Sequence, residues 1–234
     1  MSKARKVEHK PPPGQPTPVS KPAPFALPMA PLRRLALANF SPKMARLNAN
    51  MERMEGDTHV STLQKWREDG KEADFLVDIT RTQAERRPRT AAEVSTYLAK
   101  GSPTLALLSK EILAGHILDP LDPEKYKNHQ KLIVAEGTPA NAYWIQTYLR
   151  SLGIDARVLH AGLSNKAKAA MVDLFNDPKS SLKVLIMMYD VGAAGLNLHE
   201  ACNRVFIASI ARAFALEEQV GGRTNRVRHM NMFS

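Results

Sequence analysis

Apolar and polar positions fall into two regimes. From Lys131 onward, short apolar runs alternate with amphipathic stretches of helical period. KLIVAEG, ARVLHAG, KVLIMMY and NRVFIAS read as four strands. Between the first two, Thr138 and Pro139 open a helix whose apolar face is Trp144, Ile145, Tyr148, Leu149 and Leu152, and Gly153 ends it. Between the second and third, Ser164 caps a helix that turns Met171, Val172, Leu174 and Phe175 inward. Apolar strands separated by helices of this length predict an α/β fold, a parallel sheet of four or five strands with helices on both faces. Such sheets place ligands outside the carboxyl ends of their strands. That singles out the loops 136–139, 160–164 and 190–197, and the segment after Ser209.

Residues 32–128 carry helical periods instead. Met44, Leu47, Met51 and Met54 form one stripe, and Val60, Leu63 and Trp66 a shorter one. Thr90 and Glu93 make a capping box for a helix closed by Gly101. Ser102 and Pro103 open another, which buries Leu105, Leu108, Ile112 and Leu113 and stops at Gly115. Before them, nine of the sixteen prolines fall between Pro11 and Pro31, so residues 1–31 are expected to be a disordered or polyproline tail. The predicted organisation is a basic Pro-rich tail at 1–31, a helical segment at 32–128 and an α/β lobe at 129–234.

Charge adds a partner class. The net charge is +10, which favours an anionic partner, nucleic acid being the commonest, though it also serves solubility alone. No run is long and apolar enough to span a bilayer, and no membrane association is expected. The single cysteine, Cys202, reads as a buried structural thiol. His59, His116 and His129 have no metal-ligand spacing, and no metal site is expected.

Three stretches carry candidate chemistry. Gly192 and Gly195 follow the third strand, where glycine either makes a plain turn or lets the backbone approach an anion. HAGLS brings Gly162 and Ser164 to a helix N-terminus, where Ser164 reads either as an ordinary cap or as part of an anion site. In ALEEQVGGRTNRVRH, Gln219, Arg223 and Arg226 are four and three residues apart and share a face if the segment is helical. Paired guanidinium groups suit the charge spread over a transferring phosphoryl group. Gly221 and Gly222 cost roughly 1 kcal/mol each in a helix, which argues against a purely solvated basic surface.

In this order, VLHAGLS with the helix ending LFND, then GAAGLNL, then EEQVGGRTNR, the chain resembles the second RecA-like lobe of superfamily-two helicases. The likeness is to the Swi/Snf-type DNA-dependent ATPases and chromatin remodellers, particularly their fungal branch, over about residues 103–229. The resemblance implies that Arg223 and Arg226 are arginine fingers on the ATP γ-phosphate and that Gln219, Gly192 and Gly195 belong to the nucleotide site. It implies that Gly162, Ser164 and Asn197 face nucleic acid, with Leu196 beside Asn197 in the fifth helicase motif. It further implies double-stranded DNA as partner, a first lobe or remodeller subunit as a second partner, and a nuclear location.

The sequence departs from the pattern at Asp190, Ala193, Arg228 and His229, and ends before the strand that usually follows the sixth motif. It contains no G-x-x-x-x-G-K-S/T loop and no Asp-Glu dipeptide. Arginine fingers without that phosphate cradle are expected not to turn over ATP, so ATP and Mg enter only with a first lobe. The alternative expectation is a non-catalytic module, derived from such a lobe, that binds nucleic acid or protein.

Overall fold

The computed structural model describes residues 29–51, 71–117, 131–192, 196–198, 202, 204–211 and 213–224. Five helices come first: α1 (Met29–Phe40), α2 (Pro42–Met51), α3 (Glu72–Thr80), α4 (Ala91–Ala99) and α5 (Pro103–Ile117). The lobe then runs β1 (Leu132–Glu136), α6 (Pro139–Ser151), β2 (Asp155–Leu159), α7 (Asn165–Asn176), β3 (Leu182–Met188), the short α8 (Tyr189–Gly192), β4 (Val205–Ile207) and α9 (Phe214–Thr224). Helix α1 takes in the last three residues expected to be tail. Pro31 falls in its first turn, where a missing N–H breaks no helical bond. The stripe residues Met54, Val60, Leu63 and Trp66 lie outside the described residues.

The four strands form one parallel sheet in the order β2-β3-β1-β4. β1, LIVAE, is buried along its whole length between β3 and β4. The β1–β2 crossover and the β2–β3 crossover run in opposite directions across the sheet. Right-handed connections therefore put α6 on one face and α7 on the other.

Helix α6 departs from the single apolar face expected of it. Ala140 through Leu149 are all buried, whereas Leu152 is largely exposed. The cause is a third layer: α3 and α4 pack on the outer side of α6 while its inner side lies on the sheet. Trp144 Nε1 donates to the Leu98 carbonyl at 3.2 Å, and the Tyr148 hydroxyl meets Ser109 Oγ at 2.6 Å. Arg150 pairs with Glu72 at 2.9 Å. One continuous apolar core runs from Leu37 and Met44 of the outer helices to Ile133 and Ile186 of the sheet.

The caps expected at Thr90 and Ser164 hold, whereas Thr138, expected to cap α6, makes no side-chain capping bond. Thr90 Oγ1 accepts from the Glu93 amide and Ser164 Oγ from the Ala167 amide, both at 3.2 Å. Gly101 and Gly153 have φ of +79° and +78°, the left-handed conformation that ends a helix and favours glycine. Helix α5 continues through Gly115 to Ile117. Lys131 carries an unexpected cap. Its Nζ donates to the carbonyls of Phe175 and Asp177 and to Ser180 Oγ, at 2.5–2.8 Å, at the C-terminal end of α7. Cations suit a helix C-terminus, and burial pushes this amine below its ordinary pKa.

Candidate functional site at the strand carboxyl ends

The loops that follow β1, β3 and β4 are tied into one constellation. Glu136 ends β1 and is fully buried. Its Oε1 accepts from the amides of Gly137 and Thr138, both at 2.9 Å. The Glu136 carboxylate thus holds the turn that leads into α6, and the Thr138 side chain makes no capping bond. Burial, the largest cause, pushes the Glu136 carboxyl above its ordinary value, against the pull of these amides, Ser209 and Asn141. The Gly137 amide also donates to Ser209 Oγ at 2.8 Å, and the Tyr189 hydroxyl donates to the Ser209 carbonyl at 2.6 Å. Burial, with the negative charges of Glu217 and Glu136, pushes the Tyr189 phenol up to about 12, so it stays a donor. Glu217 of α9 accepts from the Ala211 amide at 2.8 Å. The start of α9 is thus fastened to the ends of three strands.

Glu136 bounds one of the loops singled out from the sequence and Ser209 precedes another, but neither they nor Tyr189 and Glu217 were assigned a role. The available signal was a carboxylate closing an otherwise apolar strand two residues before a helix. There a buried charge needs amide donors, and a helix N-terminus supplies them.

The expected residues are placed as follows. Gln219 is exposed on α9, one turn before Arg223, the penultimate residue of that helix. Arg226, Arg228 and His229 lie outside the described residues, as do Ala193 and Gly195. A Cβ at Gly221 or Gly222 would meet nothing within 4 Å, so no contact among the described residues requires glycine there. Gly192 ends α8, directly after β3. Gly162 packs under His160: a Cβ there would stand 3.1 Å from Nδ1 and 3.2 Å from Cε1 of that ring. Ser164 caps α7 and is exposed. Asn197 is held to the other end of α7, its carbonyl accepting from Asn176 Nδ2 at 2.8 Å. The structure brings Gly162 and Ser164 into one loop after β2, and places Gln219 and Arg223 on the element after β4. Cys202 is buried, and burial raises its thiol pKa. Among the described residues no group of three or more His, Cys, Asp or Glu is arranged to hold a metal ion.

The model of the helicase conserved C-terminal domain matches residues 108–228, just over half of the chain. The chain belongs to the helicase C-terminal domain family. The matched region starts inside α5 and takes in the sheet, α6 to α9 and the Gln219–Arg226 segment. No curated protein matches the sequence at a significant level. Among solved structures, the C-terminal part of the Fun30 ATPase domain is similar in fold, with a TM-score of 0.52 and 16% identity. That likeness covers 76% of this chain and 48% of the other, so this helicase C-terminal domain spans about half the length of that structure.

Proposed function

We propose that this chain is the C-terminal lobe of a nuclear, DNA-dependent ATPase of the Swi/Snf remodeller type, working with a first lobe supplied by another chain or by protein outside these residues. One observation carries the reading: α9 sets Gln219 and Arg223 one turn apart and is fastened by Glu217, Tyr189 and Ser209 to the strand carboxyl ends.

In this reading ATP is the substrate, bound between the lobes, and this chain meets its γ-phosphate end. Arg223 and Arg226 supply fixed positive charge where phosphoryl transfer spreads negative charge. On α9, a Cβ at Gly221 or Gly222 would meet no atom of another described residue within 4 Å, which is compatible with a ligand passing there. Gln219, Gly192 and Gly195 shape that end of the site. Gly162, Ser164 and Asn197 face the DNA, with Ser164 at the amide-rich N-terminus of α7. Mg would be held by the first lobe, because the described part of this chain offers no ligand set for it. The likeness in fold to the C-terminal part of the Fun30 ATPase domain supports an ATPase lobe, and the remodeller class and the nucleus rest on the order of the sequence motifs.

The test is DNA-stimulated ATP hydrolysis by the chain alone and mixed with a separately prepared first lobe of a related translocase. Turnover is expected only in the mixture and lost by about 10³-fold or more in Arg223→Ala, the scale of an arginine finger. Turnover by the chain alone, or a mixture indifferent to Arg223→Ala, contradicts the reading. A second reading, a non-catalytic nucleic-acid-binding module, is favoured by Asp190 and by the absence of a Walker loop from this sequence. It predicts salt-sensitive DNA binding with no response to nucleotide.

A further inference from the structure

The loop between α3 and α4, residues 81–90, reads RTQAERRPRT and lies outside the residues matched by the family model. It holds four arginines and one carboxylate, and its fold uses up that carboxylate. Glu85 Oε2 accepts from the Thr82 amide at 2.9 Å, from Thr82 Oγ1 at 3.1 Å and from Arg46 Nη1 at 2.9 Å. The Thr82 amide first, then Arg46, holds the Glu85 carboxyl down to about 2. Arg46 also reaches the Thr80 carbonyl at 2.9 Å, and Arg81 Nη1 donates to the Glu85 carbonyl at 3.1 Å. Arg87 bridges Asp74 and Asp78, at 3.1 Å to each. At the far end, Glu93 Oε2 accepts from the Arg89 amide at 2.6 Å and Thr90 caps α4.

Two cations are left over. Arg86 and Arg89 are exposed, and neither guanidinium makes a hydrogen bond or ion pair among the described residues. The nearest carboxylate they influence, Glu93, is already committed to a backbone amide. The loop is thus ordered from both ends by its own bonds and displays two forked cations with no partner among the described residues. Ordering costs are met before binding, which favours a ligand that takes rigid, planar donors.

We propose that Arg86 and Arg89 form a phosphate-backbone contact for a nucleic-acid duplex on the helical segment, separate from the strand-end site. The chemistry favours polynucleotide over a protein partner. The exposed neighbours Thr82, Gln83 and Ala84 are polar or small and give no apolar anchor, as a protein hot spot would need. The loop itself holds no aromatic residue to stack on bases, so the contact reads phosphate and not sequence. The inference rests on the nucleic-acid part of the proposed function and not on the arginine fingers.

The experiment uses the full chain and fluorescence anisotropy with a mixed-sequence DNA duplex of about 30 base pairs, across roughly 50 to 200 mM salt. Arg86→Ala/Arg89→Ala is expected to weaken binding several-fold and make the log–log salt slope shallower by about 1.8, two contacts at about 0.9 each. Arg86→Lys/Arg89→Lys keeps the slope. Lys110→Ala/Lys179→Ala removes the same charge from other exposed positions and leaves it unchanged. Should the double alanine variant lose its fold by circular dichroism, the single variants Arg86→Gln and Arg89→Gln each shed about 0.9 of slope. The slope difference persists in an Arg223→Ala background, which separates this contact from the finger reading. An unchanged slope in the Arg86 and Arg89 variants, or an equal fall in the lysine control pair, overturns the proposal.

Discussion

Lys43 shows how a single buried cation sets a pH dependence. Its Nζ donates to the Tyr97 carbonyl and sits 3.5 Å over the Tyr97 ring, and the residue is almost wholly buried. Burial, opposed by Glu85 and reinforced by Lys100 and Arg46, pushes the amine down to about 8 from 10.5. Between those values the unfolded chain binds more protons than the folded one, so stability rises with pH across that window. Tyr189 acts in the opposite sense. Its phenol is raised from 10 to about 12, so its contribution is full below 10 and is lost as pH climbs toward 12. Urea midpoints are expected to rise from pH 8 toward pH 10 and to fall above it. Lys43→Met should flatten the rise and Tyr189→Phe the fall. A Lys43→Met profile parallel to wild type below pH 10 would count against the burial argument.

Among the elements, α7 is held at both ends by different chemistry, and only one end was legible. Ser164 two positions before an alternating run of Lys and Ala is a local cap signal, and the structure keeps it. Ser164→Ala is expected to cost about 1 kcal/mol, read as a shift in chemical denaturation with the m-value unchanged. Lys131, at the other end, opens the KLIVAEG run and carries no local cap signal. Its role depends on β3 having passed beside β1, which brings the last turn of α7 over it. Periodicity states that a segment is a strand and which face is apolar, but not which strand lies next to it. The order β2-β3-β1-β4 was therefore beyond the pattern, and with it Lys131, Glu136 and the Tyr189–Ser209 tie. Gly162 was readable as a special position, yet the reason, the His160 ring over it, needed the folded loop. The two sheet edges also differ. At β2 the Val158 amide is taken by Gln146 at 3.1 Å and a bulge falls at Asp155–Ala156, two devices that discourage strand addition.

At the scale of the whole molecule, the family match and the folded unit do not coincide. The match begins at residue 108, yet α3 and α4 cover α6 and share its core. A chain trimmed to begin at Pro103 would uncover Trp144, whose indole bonds to the Leu98 carbonyl, and leave Arg150 without Glu72. Such a fragment is expected to lose cooperative thermal unfolding and to bind a hydrophobic dye. A sharp melting transition for the trimmed chain would show that the outer helices are dispensable. Helix α6 is a wall shared by two rooms. Close-packed interiors transmit displacement with little give, so the outer helices are geared to the sheet and cannot lag behind it. A displacement of the outer layer is therefore expected to carry α6 with it, through packing that includes Trp144 and its bond to Leu98.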